Sequence, residues 1–226
     1  MSSGRFIVLD GLDGSGKATQ SRLLAERLNA EGRPARKMDF PAYDRNFFGS
    51  LIGECLAGKR GDFVNLDPKI ASTLYACDRA ESAEEIRRAL SNGETIVADR
   101  FTSSNQIHQG GKIEDDAERQ VFLTWLDRME HEVLRVPRPD LVLYLRVPLE
   151  VSLDLLARER SVKNEAQGGG VDTVEADMRY MEHSFSSAEM LAERNENWKA
   201  IECVWDGVIR TREEIHEDIW SILKGL

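Results

Sequence analysis

Hydrophobic and polar positions fall into two alternating textures along the chain. Arg5–Asp10, Glu94–Asp99 and Leu141–Leu145 are short apolar runs with few polar interruptions, the pattern of strands buried on both faces of a parallel sheet. Ala35–Phe40, closed by Pro41, is a weaker strand, and Ala200–Trp205 is a last one. Between the strands, apolar residues recur at helical spacing: Leu23, Leu24 and Leu28 within Lys17–Glu31, then Leu51, Ile52, Cys55 and Leu56, then Ile70, Leu74, Cys77 and Ile86 within Asp67–Leu90. Further helices are expected over Asp115–Leu134, from Pro148 to Arg160, from Thr173 to Asn195, and over Thr211–Leu223. Ser161–Asp172 breaks the pattern: it carries Gly168, Gly169 and Gly170 and no apolar period, and reads as a mobile loop. Strands alternating with helices predict an α/β fold with a parallel sheet covered on both faces and right-handed crossovers. A length of 226 residues fits one such domain.

Charge and cysteine content narrow the function classes. Thirty Lys and Arg against 40 Asp and Glu leave a formal charge of −10, which offers no basic field for a nucleic-acid backbone. Cys55, Cys77 and Cys203 are odd in number, far apart and in no C-x-x-C pair, so neither a disulfide framework nor a zinc site is expected, and a reducing, cytoplasmic setting fits. The apolar run near the N-terminus is too short for a signal peptide. No stretch approaches the ~18 apolar residues of a membrane span, so no membrane partner is expected.

The strongest chemical signal is Gly11-Leu12-Asp13-Gly14-Ser15-Gly16-Lys17-Ala18, which matches G-x-x-x-x-G-K between a buried strand and a helix. Glycines let successive backbone N–H groups turn around a phosphate, the helix that follows adds its positive end, and Lys17 reaches the β and γ phosphates of ATP. Lys17 is therefore expected to meet phosphate and to pack against nothing. Ala18 stands where this motif usually has a hydroxyl facing Mg²⁺. Either Thr19 replaces that hydroxyl, directly or through water, or the ion is held mainly by carboxylates such as Asp13 and Asp99. A GTPase is disfavoured by the lack of an N-K-x-D segment and of a switch-like D-x-x-G, which leaves a small-molecule phosphotransferase as the natural reading.

Beyond the loop, Phe40-Pro41 follows the second strand, Asp99-Arg100-Phe101-Thr102-Ser103-Ser104-Asn105 follows the third, and Arg158 and Arg160 enter the glycine-rich segment. With Gly11-Leu12-Asp13-Gly14-Ser15-Gly16-Lys17-Ala18-Thr19-Gln20 as G-x-D-G-x-G-K-x-T-Q, the chain resembles a thymidylate kinase over nearly its whole length. The resemblance implies a P-loop NTPase-type, five-stranded parallel sheet with helices on both faces, a single domain over 1–226 with a lid at about 158–173, a homodimer, and transfer of the ATP γ-phosphoryl to dTMP with Mg²⁺.

The same resemblance assigns roles. Leu74-Tyr75-Ala76-Cys77-Asp78-Arg79 matches the base-reading helix, so Tyr75 stacks on thymine and Arg79 bonds an exocyclic carbonyl; without the resemblance Tyr75 would read as a core aromatic. Arg100 clamps the acceptor phosphate, a task suited to a bidentate fork, and Asp99 lies beside the metal. Ser104, Asn105 and Gln109 line the nucleotide pocket. His108 takes a place usually held by an aromatic near the sugar, or is a solvated helix residue. The family carries a catalytic arginine in the P-loop or in the lid; here the P-loop position is Gly14, so Arg158 and Arg160, with Lys163 third, are expected to supply the charge. Asp172 and Glu175 resemble an acidic pair after the lid and also read as a capping box. A P-loop kinase with another acceptor, and a nucleotide-binding protein without catalysis, remain open alternatives.

Overall fold

Phe6 and Val8 turn into one hydrophobic layer and Ile7 and Leu9 into another, all four fully buried, because successive side chains on a strand alternate between faces. This strand, β1 (Phe6–Asp10), is the centre of a five-stranded, all-parallel sheet in a computed structural model that describes residues 4–155 and 178–225. The other strands are β2 (Ala35–Asp39), β3 (Thr95–Asp99), β4 (Leu141–Arg146) and β5 (Trp198–Glu202), in the order β2-β3-β1-β4-β5. Ile7 pairs with Val97 on one side and Leu141 on the other. The sheet expected from the apolar runs is thus present, with helices on both faces.

On one face, α1 (Lys17–Ala30) and α8 (Arg212–Lys224) bring Leu24, Leu28, Ile219 and Trp220 against Leu9, Leu143 and Ile201. On the other, α3 (Pro68–Ser91) and α7 (Met178–Arg194) bring Ile86, Ala89, Ala188 and Leu191 against Phe6, Ile96 and Tyr144. Helix ends follow local chemistry. Asp67 accepts from the N–H of Lys69 at 2.9 Å ahead of Pro68, and Thr211 and Glu214 form a capping box that opens α8. α2 (Phe47–Leu56) lies beside α3, and residues 149–155 form α6 after β4.

Three features differ from the sequence expectation. β5 starts at Trp198, two residues ahead of the expected start, and ends at Glu202, three ahead of the expected end, and the chain then turns back as a hairpin of β6 (Val204–Trp205) and β7 (Val208–Ile209). Asp206 and Gly207, both at positive φ, make its turn, a hairpin signal that outweighs the apolar run. Thr102–Ser104 is a short helical turn, α4, that continues with π geometry through Asn105–Gln109, although Ile107 is the one aliphatic residue in it. The expected helix over Asp115–Leu134 is α5 (Asp116–Asp127) followed by a π segment, Arg128–Val133. Arg158, Arg160, Lys163, Gly168, Gly169, Gly170, Asp172 and Glu175, and with them the expected lid, lie outside the described residues.

Candidate active site

Parallel strands aim their carboxyl ends at one rim, and ligands of open α/β sheets bind there. At that rim, Gly11 turns at φ 149°, where a Cβ would stand 2.8 Å from the carbonyl oxygen of Leu145, so no larger residue fits. Gly16, at φ 89°, starts α1 without a side-chain cap, leaving the first-turn N–H groups without a side-chain partner. Lys17 corrects one expectation: it is buried and braces the loop, its Nζ donating to the carbonyls of Leu12 at 2.6 Å and Gly11 at 3.1 Å. Thr19 is half-buried in the first turn of α1, whereas Ala18 is exposed.

Beside the loop lies a cavity of about 160 Å³. It brings together all ten residues expected to hold the acceptor: Asp13, Phe40, Pro41, Tyr75, Arg79, Arg100, Ser104, Asn105, His108 and Gln109. They come from five separate places in the chain, gathered because β1, β2 and β3 end side by side and α3 and the π segment Asn105–Gln109 cover the opening. Phe40 and Pro41, joined by a cis peptide, are held to α3 through the buried Asp78, which accepts from the N–H of Ala42 at 3.1 Å and from Asn46 at 2.8 Å. Tyr75 packs against Phe63, ring centres 5.7 Å apart, as a core aromatic would, and it also lines the cavity. His108 is not a solvated residue: it meets Arg100 Nη1 at 2.9 Å and lies parallel to Tyr180 at 5.8 Å.

A family model described as thymidylate kinase matches residues 9–201. The chain belongs to the thymidylate kinase family. It is 35% identical over 207 residues to the thymidylate kinase of Synechococcus sp. (strain CC9902), covering 88% of this chain and 90% of that one. It is 30% identical over 226 residues to a probable thymidylate kinase of Thermococcus gammatolerans, covering 98% and 96%. A solved thymidylate kinase structure from Candida albicans shares the fold with a TM-score of 0.74 at 21% identity, over 99% of this chain and 92% of that one.

Charge in this thymidylate kinase family member concentrates where loop and cavity meet. Arg100 sits at φ 63°, a left-handed conformation rare for a side chain of its size, and its Nη2 donates to Asp13 Oδ1. Burial alone would raise the carboxyl of Asp13, but Arg100 and Lys17 overcome it and hold the group down at about 2. Burial and the neighbouring Arg100 push Lys17 down to about 8, with Asp13 and Asp99 opposing them. Asp99 goes the other way, raised by burial that Lys17 and Arg100 offset in part. Burial and Arg100 depress His108 to about 4. Among the described residues no group of three or more His, Cys, Asp or Glu is placed to hold a metal.

Several residues of the site carry no local motif. Asp10, fully buried, accepts from the hydroxyls of Ser103 at 2.6 Å and Ser104 at 2.8 Å and so ties the end of β1 to α4. Tyr43, Phe101 and Tyr180 also line the cavity. Glu130, from the π segment after α5, pairs with Arg79 through two bonds of 2.7 Å with both partners buried. Asp10 closes β1, and Tyr43 and Phe101 come soon after β2 and β3, but Tyr180 and Glu130 follow no strand end or glycine loop, and sequence spacing gives no reason to place them with the rest.

Proposed function

We propose that this enzyme transfers the γ-phosphoryl of ATP to dTMP, giving dTDP. The observation that carries the reading is the double position of Asp13: it is a residue of the phosphate loop and a wall of the acceptor cavity, so a donor on the loop and a monophosphate in the cavity meet beside it. Gly11, Gly14, Ser15, Gly16, Ala18 and Thr19 would wrap the ATP phosphates with backbone N–H groups while Lys17 leaves its loop carbonyls to meet the β and γ oxygens. Arg100 would exchange its bond to Asp13 for the acceptor phosphate. Tyr75 would stack on the base, with Arg79 and Asn105 on its polar edge, Phe40, Pro41 and Gln109 closing the walls, and Ser104 and His108 toward the sugar. Arg158 and Arg160, from the lid, would meet the charge that grows on the moving phosphoryl.

The donor set suits Mg²⁺, a hard cation that keeps several waters and needs one or two protein carboxylates with substrate phosphates. Asp13, ionised down to about pH 2, and Asp99 would hold it, with Thr19 in reach of the first turn. When bound, the ion would neutralise phosphate charge. We further read the protein as a cytoplasmic homodimer that acts on nucleotides without nucleic-acid or membrane partners. Three free cysteines fit a reducing compartment, and the charge of −10 offers no basic field for nucleic acid; the homodimer is what the resemblance implies.

A coupled ADP-release assay across dTMP, dUMP, dCMP, UMP and thymidine tests the reaction. Preferred turnover of dTMP is expected; turnover of thymidine alone would make the protein a nucleoside kinase, and no turnover of any would make it a binding protein.

A further inference from the structure

Arg79 and Asn105, which face the cavity from different elements, are fixed by one and the same carboxylate. Glu130 Oε2 accepts from Arg79 Nε at 2.7 Å. Its Oε1 accepts from Arg79 Nη2 at 2.7 Å and from Asn105 Nδ2 at 3.0 Å. The second proton on Asn105 Nδ2 goes to the carbonyl of Ser72 at 3.1 Å. All three side chains are almost fully buried, at 1% exposure for Glu130 and 2% for Arg79 and Asn105.

This bonding leaves the Asn105 amide one orientation. Its nitrogen faces two acceptors, and the reversed amide would press Oδ1 against a carbonyl and a carboxylate at once. Both amide protons are therefore committed, and what Asn105 has left to offer is an acceptor, Oδ1. Arg79 has two bonds committed and can offer only donors, because a guanidinium has no acceptor. The two residues share Glu130 Oε1, so donor and acceptor stand side by side in a fixed order. A pyrimidine with a carbonyl next to a ring N–H meets that order. An amino-pyrimidine presents an amino donor next to a bare ring nitrogen, which sets donor against donor and acceptor against acceptor.

We propose that Glu130 is a specificity-determining positioning residue: it touches no substrate, but by clamping Arg79 and Asn105 together it orders their donor and acceptor to accept keto-pyrimidine nucleotides and reject amino-pyrimidine ones. The inference rests on the reading of the cavity as the base pocket. It extends that reading by naming the residue that writes the selectivity. A carboxylate is needed for this task, since it accepts from three donors and gives none. Glutamine at the same place would turn an N–H toward Arg79 or toward Asn105, so one donor of the pair would lose its acceptor; where that donor is Asn105, only the Ser72 carbonyl is left to hold the amide against reversal, and a reversed amide would present a donor to the base.

The test compares kcat/KM for dTMP, dUMP and dCMP in the wild type, Glu130→Gln and Glu130→Asp. In Glu130→Gln the dTMP to dCMP ratio should fall by about tenfold or more, because a site built to pair a polar edge loses its discrimination once its own groups can reverse. The dTMP to dUMP ratio should hold, since both bases carry the keto edge, and KM for ATP should hold as well. Glu130→Asp keeps the buried charge opposite Arg79, and so preserves the fold if the glutamine variant does not; with one methylene less it cannot reach both partners and should lose part of the ratio. If both folded variants lose rate equally on all three acceptors, or keep the wild-type ratio, Glu130 is a structural brace and the inference fails. A wild type that does not use dTMP would instead overturn the proposed reaction, and would do so before any variant is made.

Discussion

Arg100 reaches from the end of β3 to Asp13 in the loop after β1, and the contact joins the two halves of the site. Holding a non-glycine residue at φ 63° costs on the order of 1–3 kcal/mol, and the ion pair with Asp13 and the nearby Asp10 carboxylate at 3.8 Å offset it. If Arg100 then passes its fork to the acceptor phosphate, Arg100→Lys, with equal charge and equal backbone strain, should lower kcat/KM for dTMP by about a hundredfold, with a smaller change in KM for ATP. Steady-state kinetics with each substrate varied in turn decides it. A variant near wild type would show that a point charge suffices and that no bidentate clamp operates.

Lys17→Met should reduce kcat by about 10²–10³-fold while leaving the melting temperature within a few degrees. The stability expectation follows from burial: Lys17 is charged in a place that depresses it to about 8, so an apolar chain of similar length removes a desolvation cost while it gives up the bonds to Gly11 and Leu12. Calorimetry alongside the ADP-release assay separates the two effects. Retained turnover would remove the phosphate-loop reading.

If Arg158 and Arg160 meet the charge that grows on the moving phosphoryl, their double substitution by Ala should lower kcat strongly and change dTMP affinity little. Equilibrium binding of dTMP measured beside kcat tests this. Wild-type kcat would mean that the catalytic cation comes from another residue or another subunit.

His108 predicts a pH signature. It is neutral in the folded protein down to about pH 4, against 6.5 for its ordinary value, through burial and the adjacent Arg100. Between those values the unfolded chain binds a proton that the folded chain does not, so stability rises with pH across the window and is lost on acidification. The loss should approach about 3 kcal/mol at the lower limit. His108→Gln should remove it, so that cooling of the melting transition between pH 6.5 and 4.5 is smaller in the variant by several degrees; equal cooling in both proteins would mean that His108 titrates as it does in water.

The sequence by itself determined the sheet, its parallel sense and the phosphate loop, because these depend on short-range chemistry: apolar runs of strand length, glycines that permit unusual φ, and a lysine at fixed spacing. The resemblance to a thymidylate kinase, carried by the motif residues, named ten residues that line the cavity beside the loop; local pattern alone would leave Tyr75 as a core aromatic and His108 as a solvated helix residue. What only the tertiary structure decided is how they are held and oriented. Lys17 folds back onto its own loop, which motif spacing cannot express. His108 turns inward because Arg100 and Tyr180 converge on it from β3 and α7. Glu130, 51 positions from Arg79 and 25 from Asn105, meets both because a π segment carries it into the same buried space, and no local pattern records a contact made across that distance. The physical reason is one of range: backbone propensity and burial are written locally, whereas the direction of a buried hydrogen bond is set by whichever partners the fold brings within about 3 Å.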